Sequence, residues 1–273
     1  MNLPDRMKYY EKLYDPGLLP RVPIVIRLDG CRFSKWTWGN KLSRPYDEGM
    51  ARLMIAVTKS LVEKFRPVVG YTVSDEITLI LPERDRPDML YGGRVSKLVS
   101  TTASHATLVF NSLMGEYLPD SDPDKLKRPA EFDSRAFTVP SREEAVNTLL
   151  WRENDGTRNS VAMAAQSVYS HRQLHGKDRR AMMDMLMEQG INWNDYPAFF
   201  KRGTYVQSRT ITRPPTDEEI ARSRGNLLPE DTVTRSRIVE LEMPPLRQVT
   251  NRVGVIFNKE TPQTSKEDES NES

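Results

Sequence analysis

The sequence contains a single cysteine, Cys31, and three histidines among its 273 residues. One cysteine cannot form an internal disulfide, which is typical of a reducing compartment, so we expect a cytoplasmic protein. The cysteine and the histidines also lack the spacing of a zinc site. No apolar run approaches the roughly 18 residues of a membrane helix, and the first residues lack a signal-peptide core. We therefore expect no membrane segment.

The chain also has little net charge, +2 in total. Residues 259–273 contain five acidic residues and two lysines, a net of −3, which leaves about +5 on the remainder. This mild basic excess permits a phosphate-rich partner without requiring one. The polar, charged composition of residues 259–273 predicts a disordered acidic tail.

What the sequence does contain is a strand pattern that ends in an acidic residue. The run from Val22 to Leu28 is almost entirely branched and apolar, which is typical of a strand buried on both faces. Asp29 and Gly30 follow directly. A carboxylate held at a strand end is a common way to bind Mg²⁺ in phosphoryl transfer, although the Asp-Gly dipeptide taken alone is more typical of a simple turn.

A second acidic pair lies where two further strand patterns, 68–73 and 77–81, reverse direction. The residues at this predicted hairpin tip are Ser74, Asp75 and Glu76. An exposed acidic turn is one interpretation. Adjacent carboxylates close to another acid repel one another unless a cation lies between them, so a metal site is the second interpretation.

The order of the predicted elements indicates an α+β fold. A helix over 45–64 separates the first strand from the hairpin, a helix over 94–117 follows, and a strand over 135–139 completes the set. This order is that of ferredoxin-like domains and of the palm domain of many nucleotide polymerases. It places the first strand beside the hairpin tip, so Asp29 and Asp75 converge, and the donor-rich loop 31–40 adjoins them. These features together predict a phosphoryl-transfer site with two Mg²⁺ ions.

We divide the chain into a palm-like catalytic domain, 1–150, a C-terminal RNA-binding and oligomerisation region, 151–258, and the acidic tail.

The capping-box pattern at 141–144 predicts a helix that ends near Trp151. The C-terminal region has helical patterns around 161–168 and 182–190 and strand patterns at 203–212 and 235–242. Its basic residues suit an RNA backbone, although scattered surface charge is an equal alternative for each of them. We assign no chemistry to His171 or His175.

An ordered set of short motifs gives the chain a family resemblance. The motifs are Arg27-Leu28-Asp29-Gly30 with Phe33, Pro45 with Asp47, Ser74-Asp75-Glu76, Ser96-Lys97, and Phe132-Asp133 with Arg135. Taken in order from about residue 5 to 213, they resemble the tRNA-histidine guanylyltransferase family. The resemblance implies an enzyme that extends tRNA at its 5′ end, in the 3′–5′ direction. ATP activates the 5′-phosphate by adenylylation, and the 3′-hydroxyl of GTP or another nucleoside triphosphate then displaces AMP.

The resemblance also implies ligands and roles for individual residues. Asp29 and Asp75 would bind two Mg²⁺ ions with help from the Gly30 carbonyl, and Glu76 would support them as a further catalytic residue. The candidate nucleotide-binding residues are Asp29, Gly30, Cys31, Arg32, Phe33, Ser34, Arg44, Ser74, Asp75 and Lys97. The candidate RNA-binding residues are Arg135, Asn159, Lys177 and Arg180. The expected partners are tRNA and nucleoside triphosphates, and the family suggests a homotetramer.

Departures from the family pattern lie among the candidate nucleotide-binding residues and in the segments that concern the choice of RNA. Ser34 stands where family members usually have histidine, and Arg44 where they have lysine. Residues 157–163 retain only Asn159 of a block that eukaryotic members use to read the histidine anticodon. The motif at 170–177 is closer to the bacterial and phage branch, which adds templated nucleotides to 5′-truncated tRNAs. A dedicated tRNA-histidine enzyme, a palm-type nucleotide cyclase and a non-catalytic RNA-binding relic are the alternatives.

Overall fold

A computed structural model of the protein describes residues 1–118 and 129–265. The helices of this part of the chain are α1 (Leu3–Leu13), α2 (Phe33–Gly39), α3 (Glu48–Phe65), α4 (Val95–Tyr117), α5 (Arg142–Gln166), α6 (His171–Leu174), α7 (Arg179–Glu188), α8 (Ala198–Arg202), α9 (Asp217–Arg222) and α10 (Arg252–Asn258). The strands are β1 (Ile24–Gly30), β2 (Val69–Val73), β3 (Glu76–Leu81), β4 (Phe132–Thr138), β5 (Thr204–Arg213) and β6 (Val233–Glu240).

The six strands form one antiparallel sheet in the order β4-β1-β3-β2-β5-β6. The mixture of helices with an antiparallel sheet confirms the predicted α+β class. β1 lies between β3 and β4, and its register places Asp29 opposite Glu76 on one side and Asp133 on the other. The predicted hairpin of β2 and β3 is also confirmed. The strand patterns at 203–212 and 235–242 correspond to β5 and β6, which pair with each other.

Helices cover both faces of the sheet, which explains the nearly continuous apolar sequence of β1. Ile26 and Leu28 point into a core formed with α3 and α4, and both are fully buried. Tyr71 and Ile80 belong to a second core on the opposite face, which includes residues of α5 and α10. Since side chains alternate along a strand, Arg27 and Asp29 face the same side as this second core.

Two sequence-based expectations about local structure are wrong. Residues 33–39, predicted as loop, form the helix α2 because Phe33 and Trp36, three positions apart, both pack into the first core. The helix predicted to end near Trp151 continues to Gln166. It therefore crosses the predicted domain boundary at 150/151, and the buried Gly156 lets it approach β2 at Val73.

The C-terminal helices pack on the second half of α5. Leu186 of α7 and Phe200 of α8 form a third buried cluster with Ala164 and Ala165. Residues 182–187 are rich in methionine. Met182 and Met185 of this segment pack against the cluster, so at least these two methionines contribute to a core.

The start of the predicted disordered tail is ordered. The Thr250 N–H donates to the Gln263 carbonyl at 2.8 Å, and Val249 pairs with Thr264 as an isolated antiparallel bridge. Residues 266–273 of that prediction lie outside the described residues. No helix in the described ranges is long and apolar enough to cross a membrane.

Candidate active site

A cavity of about 630 Å³ opens where β1 ends and β2 turns into β3. Its walls come from the ends of these strands and from α2, α3, α5 and α8. Asp29, Asp75 and Glu76 line one part of it. This volume is within the range of small-molecule binding sites. The three acidic residues singled out by sequence are thus brought to one cavity.

Asp29 and Asp75 are held close together by the backbone. The Gly30 N–H donates to the Asp75 carbonyl oxygen at 3.1 Å, which ties the end of β1 to the hairpin tip. Burial, and secondarily the charge of Asp29, raise the pKa of the Asp75 carboxyl. Within residues 1–118 and 129–265 no arginine or lysine forms an ion pair with either carboxylate. The pair is therefore an uncompensated concentration of negative charge.

Glu76, by contrast, has a cationic partner. Arg152 of α5 donates through Nε to Glu76 Oε1 at 2.6 Å and through Nη1 to Asp155 Oδ2 at 2.6 Å. Burial raises the pKa of Glu76, and the Arg152 hydrogen bond and charge oppose that shift. Glu76 is thus ionically linked to α5, and its supporting role at the metal site stays a prediction.

Sequence reasoning missed Arg152 and Arg27 as parts of this region. Arg27 shares the Asp29 face of β1, and its guanidinium lies 5.4 Å from the centre of the Trp151 ring. The period of two along β1 places Arg27 beside Asp29, so alternation was the signal that pointed to it. Arg152 lies on the predicted helix, but nothing in its local sequence indicates a partner 76 positions away.

The turn after β1 is held by close packing and by backbone hydrogen bonds. A Cβ on Gly30 would lie 2.1 Å from the Phe33 ring, so glycine is required for the close packing of that ring. The N–H groups of Gly30 and Cys31 already donate to the carbonyls of Asp75 and Glu131. These two amides are therefore engaged within the protein. The nucleotide binding predicted for Gly30, Cys31, Arg32, Phe33 and Ser34 stays a prediction.

Further predicted residues also lie on the cavity wall. Ser34 lines it from α2, and Arg44 lines it with its guanidinium 4.4 Å from the centre of the Trp38 ring. Asn159 lines it from α5 and is exposed. Ser74 lines it at the hairpin tip with a φ of +54°, and its hydroxyl donates to the Asp75 carboxylate at 3.0 Å.

Seven of the predicted residues do not line the cavity. Gly30, Cys31 and Arg32 lie at the end of β1 and in the turn before α2. The other four lie elsewhere on the surface. Lys97 is exposed in the first turn of α4, close to the ion pair between Arg94 and Asp15. Arg135 is exposed on β4 and pairs with Asp133 at 3.4 Å. Lys177 and Arg180 are exposed near the start of α7. Their predicted contacts with phosphate or RNA stay predictions.

The carboxylate oxygens of Asp29 and Asp75 are the kind of ligand that Mg²⁺ prefers, rather than the nitrogen and sulfur ligands of many transition-metal sites. The described residues include no group of three or more His, Cys, Asp or Glu side chains arranged to hold a metal ion. Mg²⁺ needs only one or two protein carboxylates, because water and substrate phosphates complete its coordination. Asp29 and Asp75 therefore fit a phosphate-bound Mg²⁺ ion.

Comparison with known proteins places the chain in a family. The family described as tRNAHis guanylyltransferase matches residues 4–140. A tRNA(His) guanylyltransferase 2 of Arabidopsis thaliana is 27% identical over 235 residues, which are 82% of this chain and 41% of that protein. The chain thus spans less than half the length of this relative.

Two solved structures are similar over nearly the whole chain. A bacterial tRNA(His) guanylyltransferase-like protein in complex with ATP has a TM-score of 0.73 and 30% identity, covering 93% of this chain and 97% of its own. A structure with the same description in complex with GTP has a TM-score of 0.69 and 26% identity, covering 94% and 99%. Members of the matched family are named for a nucleotidyltransferase activity. The chain belongs to the tRNAHis guanylyltransferase family.

Proposed function

We propose that this protein is an Mg²⁺-dependent nucleotidyltransferase that adds nucleotides to the 5′ end of tRNA in the 3′–5′ direction. In the first step the tRNA 5′-phosphate attacks the α-phosphorus of ATP, and pyrophosphate leaves. In the second step the 3′-hydroxyl of GTP or another nucleoside triphosphate attacks the activated 5′-phosphorus, and AMP leaves. The two similar structures that contain ATP and GTP support both kinds of nucleotide as substrates.

The observation that carries this proposal is the uncompensated carboxylate pair of Asp29 and Asp75 at the cavity wall. Mg²⁺ held there would neutralise charge on the phosphates and favour ionisation of the attacking hydroxyl. The protein's own contribution is to hold both carboxylates at one edge, through the Gly30 to Asp75 backbone bond. Carboxylates pre-positioned in this way need no rearrangement during reaction.

The fold supports the same proposal. The strand order β4-β1-β3-β2, with α3 after β1 and α4 after β3, supports the proposal of a ferredoxin-like palm, which would have this order. We assign the palm to residues 1–150 and RNA holding and self-association to residues 151–258, with a homotetramer as the expected assembly. Because α5 belongs to both parts, RNA bound on the C-terminal region would be rigidly positioned relative to the carboxylates.

We further propose templated repair of 5′-truncated tRNAs over dedicated action on histidine tRNA. Asn159, Ser160 and Met163 line the cavity, so this segment of α5 faces the proposed reaction site. Ser160 is buried and accepts a hydrogen bond from Trp193 Nε1 at 3.2 Å. The segment therefore offers few free groups with which to read an anticodon by stacking or base-edge hydrogen bonds.

The test is extension of a 5′-truncated, monophosphorylated tRNA with ATP and labelled nucleoside triphosphates. We expect Asp29→Asn and Asp75→Asn each to lower the extension rate by about 100-fold or more while remaining folded, because removing one preorganised charged group costs about 3 kcal/mol or more of transition-state stabilisation. The exposed Asp88→Asn is the matched control. Extension at the wild-type rate by either folded site variant would refute the assignment of the two carboxylates. Absence of extension by the wild type would instead favour a non-catalytic RNA-binding relic.

The same assay measures RNA choice. A histidine tRNA and two other tRNAs, each lacking one 5′ nucleotide, are compared at equal concentration and fixed salt. We expect extension of all three, with the added base complementary to the opposite strand. A preference of about 100-fold for the histidine tRNA, or about 2.7 kcal/mol, would support the dedicated enzyme instead.

A further inference from the structure

Trp38 is an aromatic residue on the cavity wall that the proposed reaction does not use. It is 69% exposed, whereas Trp36, two residues earlier in α2, is 9% exposed. Phe33 and Trp36 point into the core, while Ser34, Thr37 and Trp38 line the cavity. The short helix therefore directs one indole into the core and one into the cavity. An indole left in water forgoes a large apolar contact area.

The other aromatic residues of the cavity wall have their ring surfaces in contact with each other. Tyr46 packs on Phe200 with ring centres 4.9 Å apart and on Phe199 at 5.4 Å. Phe33 packs on Trp36 and on further rings of the core. Among the described residues, Trp38 contacts no aromatic ring. These differences single out Trp38 as the aromatic of the wall with ring surface left to offer a ligand.

The ring of Trp38 is accompanied by a cation. The Arg44 guanidinium lies 4.4 Å from the ring centre, a distance typical of a cation–π contact. Such a contact restrains the exposed indole, so less rotamer freedom is lost when a ligand stacks on it. Arg44 is itself exposed on the cavity wall and keeps donors for phosphate. A flat aromatic surface beside a phosphate-binding cation matches a nucleotide, which has a planar base and an anionic backbone.

We propose that Trp38, restrained by Arg44, is a stacking platform for a nucleobase at this cavity. The inference rests on the proposed function, which supplies nucleotides and RNA as ligands. The base has two possible sources, the nucleoside triphosphate or the end of the RNA. Stacking uses the π-face that every base has, so Trp38 adds affinity without selecting a sequence.

The experiment compares Trp38→Leu and Trp38→Phe with the wild type. Equilibrium dialysis with labelled ATP and GTP gives the nucleotide Kd, and filter binding gives the Kd of a 5′-truncated, monophosphorylated tRNA at fixed salt. Tyr14→Leu is the control for loss of an exposed aromatic, because Tyr14 is 86% exposed and does not line the cavity. Thermal unfolding establishes that each variant is folded, which is expected since Trp38 is mostly exposed.

We expect Trp38→Leu to raise Kd about tenfold for the ligand whose base stacks, and Trp38→Phe to raise it less than about threefold, because a phenyl ring retains a stacking face. A rise for the nucleotides alone identifies the triphosphate as the source, and a rise for the tRNA alone identifies the RNA end. Unchanged Kd values for both ligands in folded Trp38→Leu would overturn the inference. Extension by Asp29→Asn is measured alongside, so failure of the proposed function is detected separately.

Discussion

Removing Arg152 provides a direct test of how Glu76 is held next to the paired carboxylates. The Arg152→Met substitution keeps an unbranched apolar side chain in place of the arginine methylene groups and removes the guanidinium. The Arg152 and Glu76 side chains are only 14% and 11% exposed, so their ion pair is a buried one. Breaking a buried pair by deleting one partner costs about 3 to 5 kcal/mol of unfolding free energy, because the remaining charge is left uncompensated. We expect a value near the lower limit, since Arg27 also lowers the pKa of Glu76.

The cost should depend on pH in a defined direction. Burial raises the pKa of Glu76 above its usual 4.5, so the folded state binds that proton more tightly than the unfolded state. Stability from this group therefore falls as pH rises from the unfolded pKa through the folded one. Loss of Arg152 raises the pKa of Glu76 in the folded state further. The pH range over which stability falls therefore extends to higher pH. The destabilisation should be small near pH 5 and largest near about pH 8.

Urea unfolding at these two pH values measures the effect. Arg158→Met is the matched control, because Arg158 contacts Asp155 but is 64% exposed, and its loss should cost less than about 1 kcal/mol. The double variant Glu76→Gln with Arg152→Met should recover most of the loss, since it leaves no buried charge unpaired. A cost in Arg152→Met that is the same at both pH values would refute the argument.

Two further predictions concern the carboxylates and one glycine. Asp75→Asn should raise the unfolding free energy without Mg²⁺ by about 0.5 to 1 kcal/mol, because it relieves repulsion from Asp29, and it should abolish the thermal stabilisation that Mg²⁺ with nucleotide gives the wild type. A lower unfolding free energy than that of Asp88→Asn would contradict this. Gly203→Ala should cost more than about 2 kcal/mol in urea unfolding, since φ is +77° and the new Cβ would lie 2.4 Å from the Thr72 carbonyl oxygen. Gly190→Ala, with φ of +74° and no atom within 4 Å, should lose only the conformational part, and equal losses in both variants would argue against the clash.

The fold was predictable from sequence where patterns are strong and local. The apolar run of β1, the β2–β3 pair and the amphipathic α3 each have a clear period, and all three elements form. α2 was missed because its helix is too short for a period to repeat and is stabilised by contacts with the distant Phe110 and Phe132. The continuation of α5 was missed because Gly156 weakens the helical pattern, whereas in three dimensions it allows the helix to approach the sheet.

The residues of the candidate site were likewise predictable where they follow strong local patterns, and not where they depend on long-range packing. Asp29 and Asp75 follow strands whose order is readable, so their convergence follows from topology. The Arg152 partner of Glu76 and the cavity-facing position of Trp38 depend on how α5 and α2 pack, which no local pattern encodes. The hydrogen bonds from the Gly30 and Cys31 amides to Asp75 and Glu131 are long-range, so no local pattern indicates them either.

The charge arrangement at this edge of the sheet links stability to function. The described part of the molecule provides Glu76 with an arginine and Asp133 with another, yet it leaves Asp29 and Asp75 without one. Arginine is present nearby, since Arg27 and Arg152 lie on the same side of the sheet, so the lack of a counter-charge is not a lack of cations in the region. A protein stabilised only for folding would pair these carboxylates. Because Asp29 and Asp75 have no arginine or lysine partner in the part of the chain that the structure describes, their carboxylates are available to bind a metal ion. A metal-bound nucleoside triphosphate would bring such an ion.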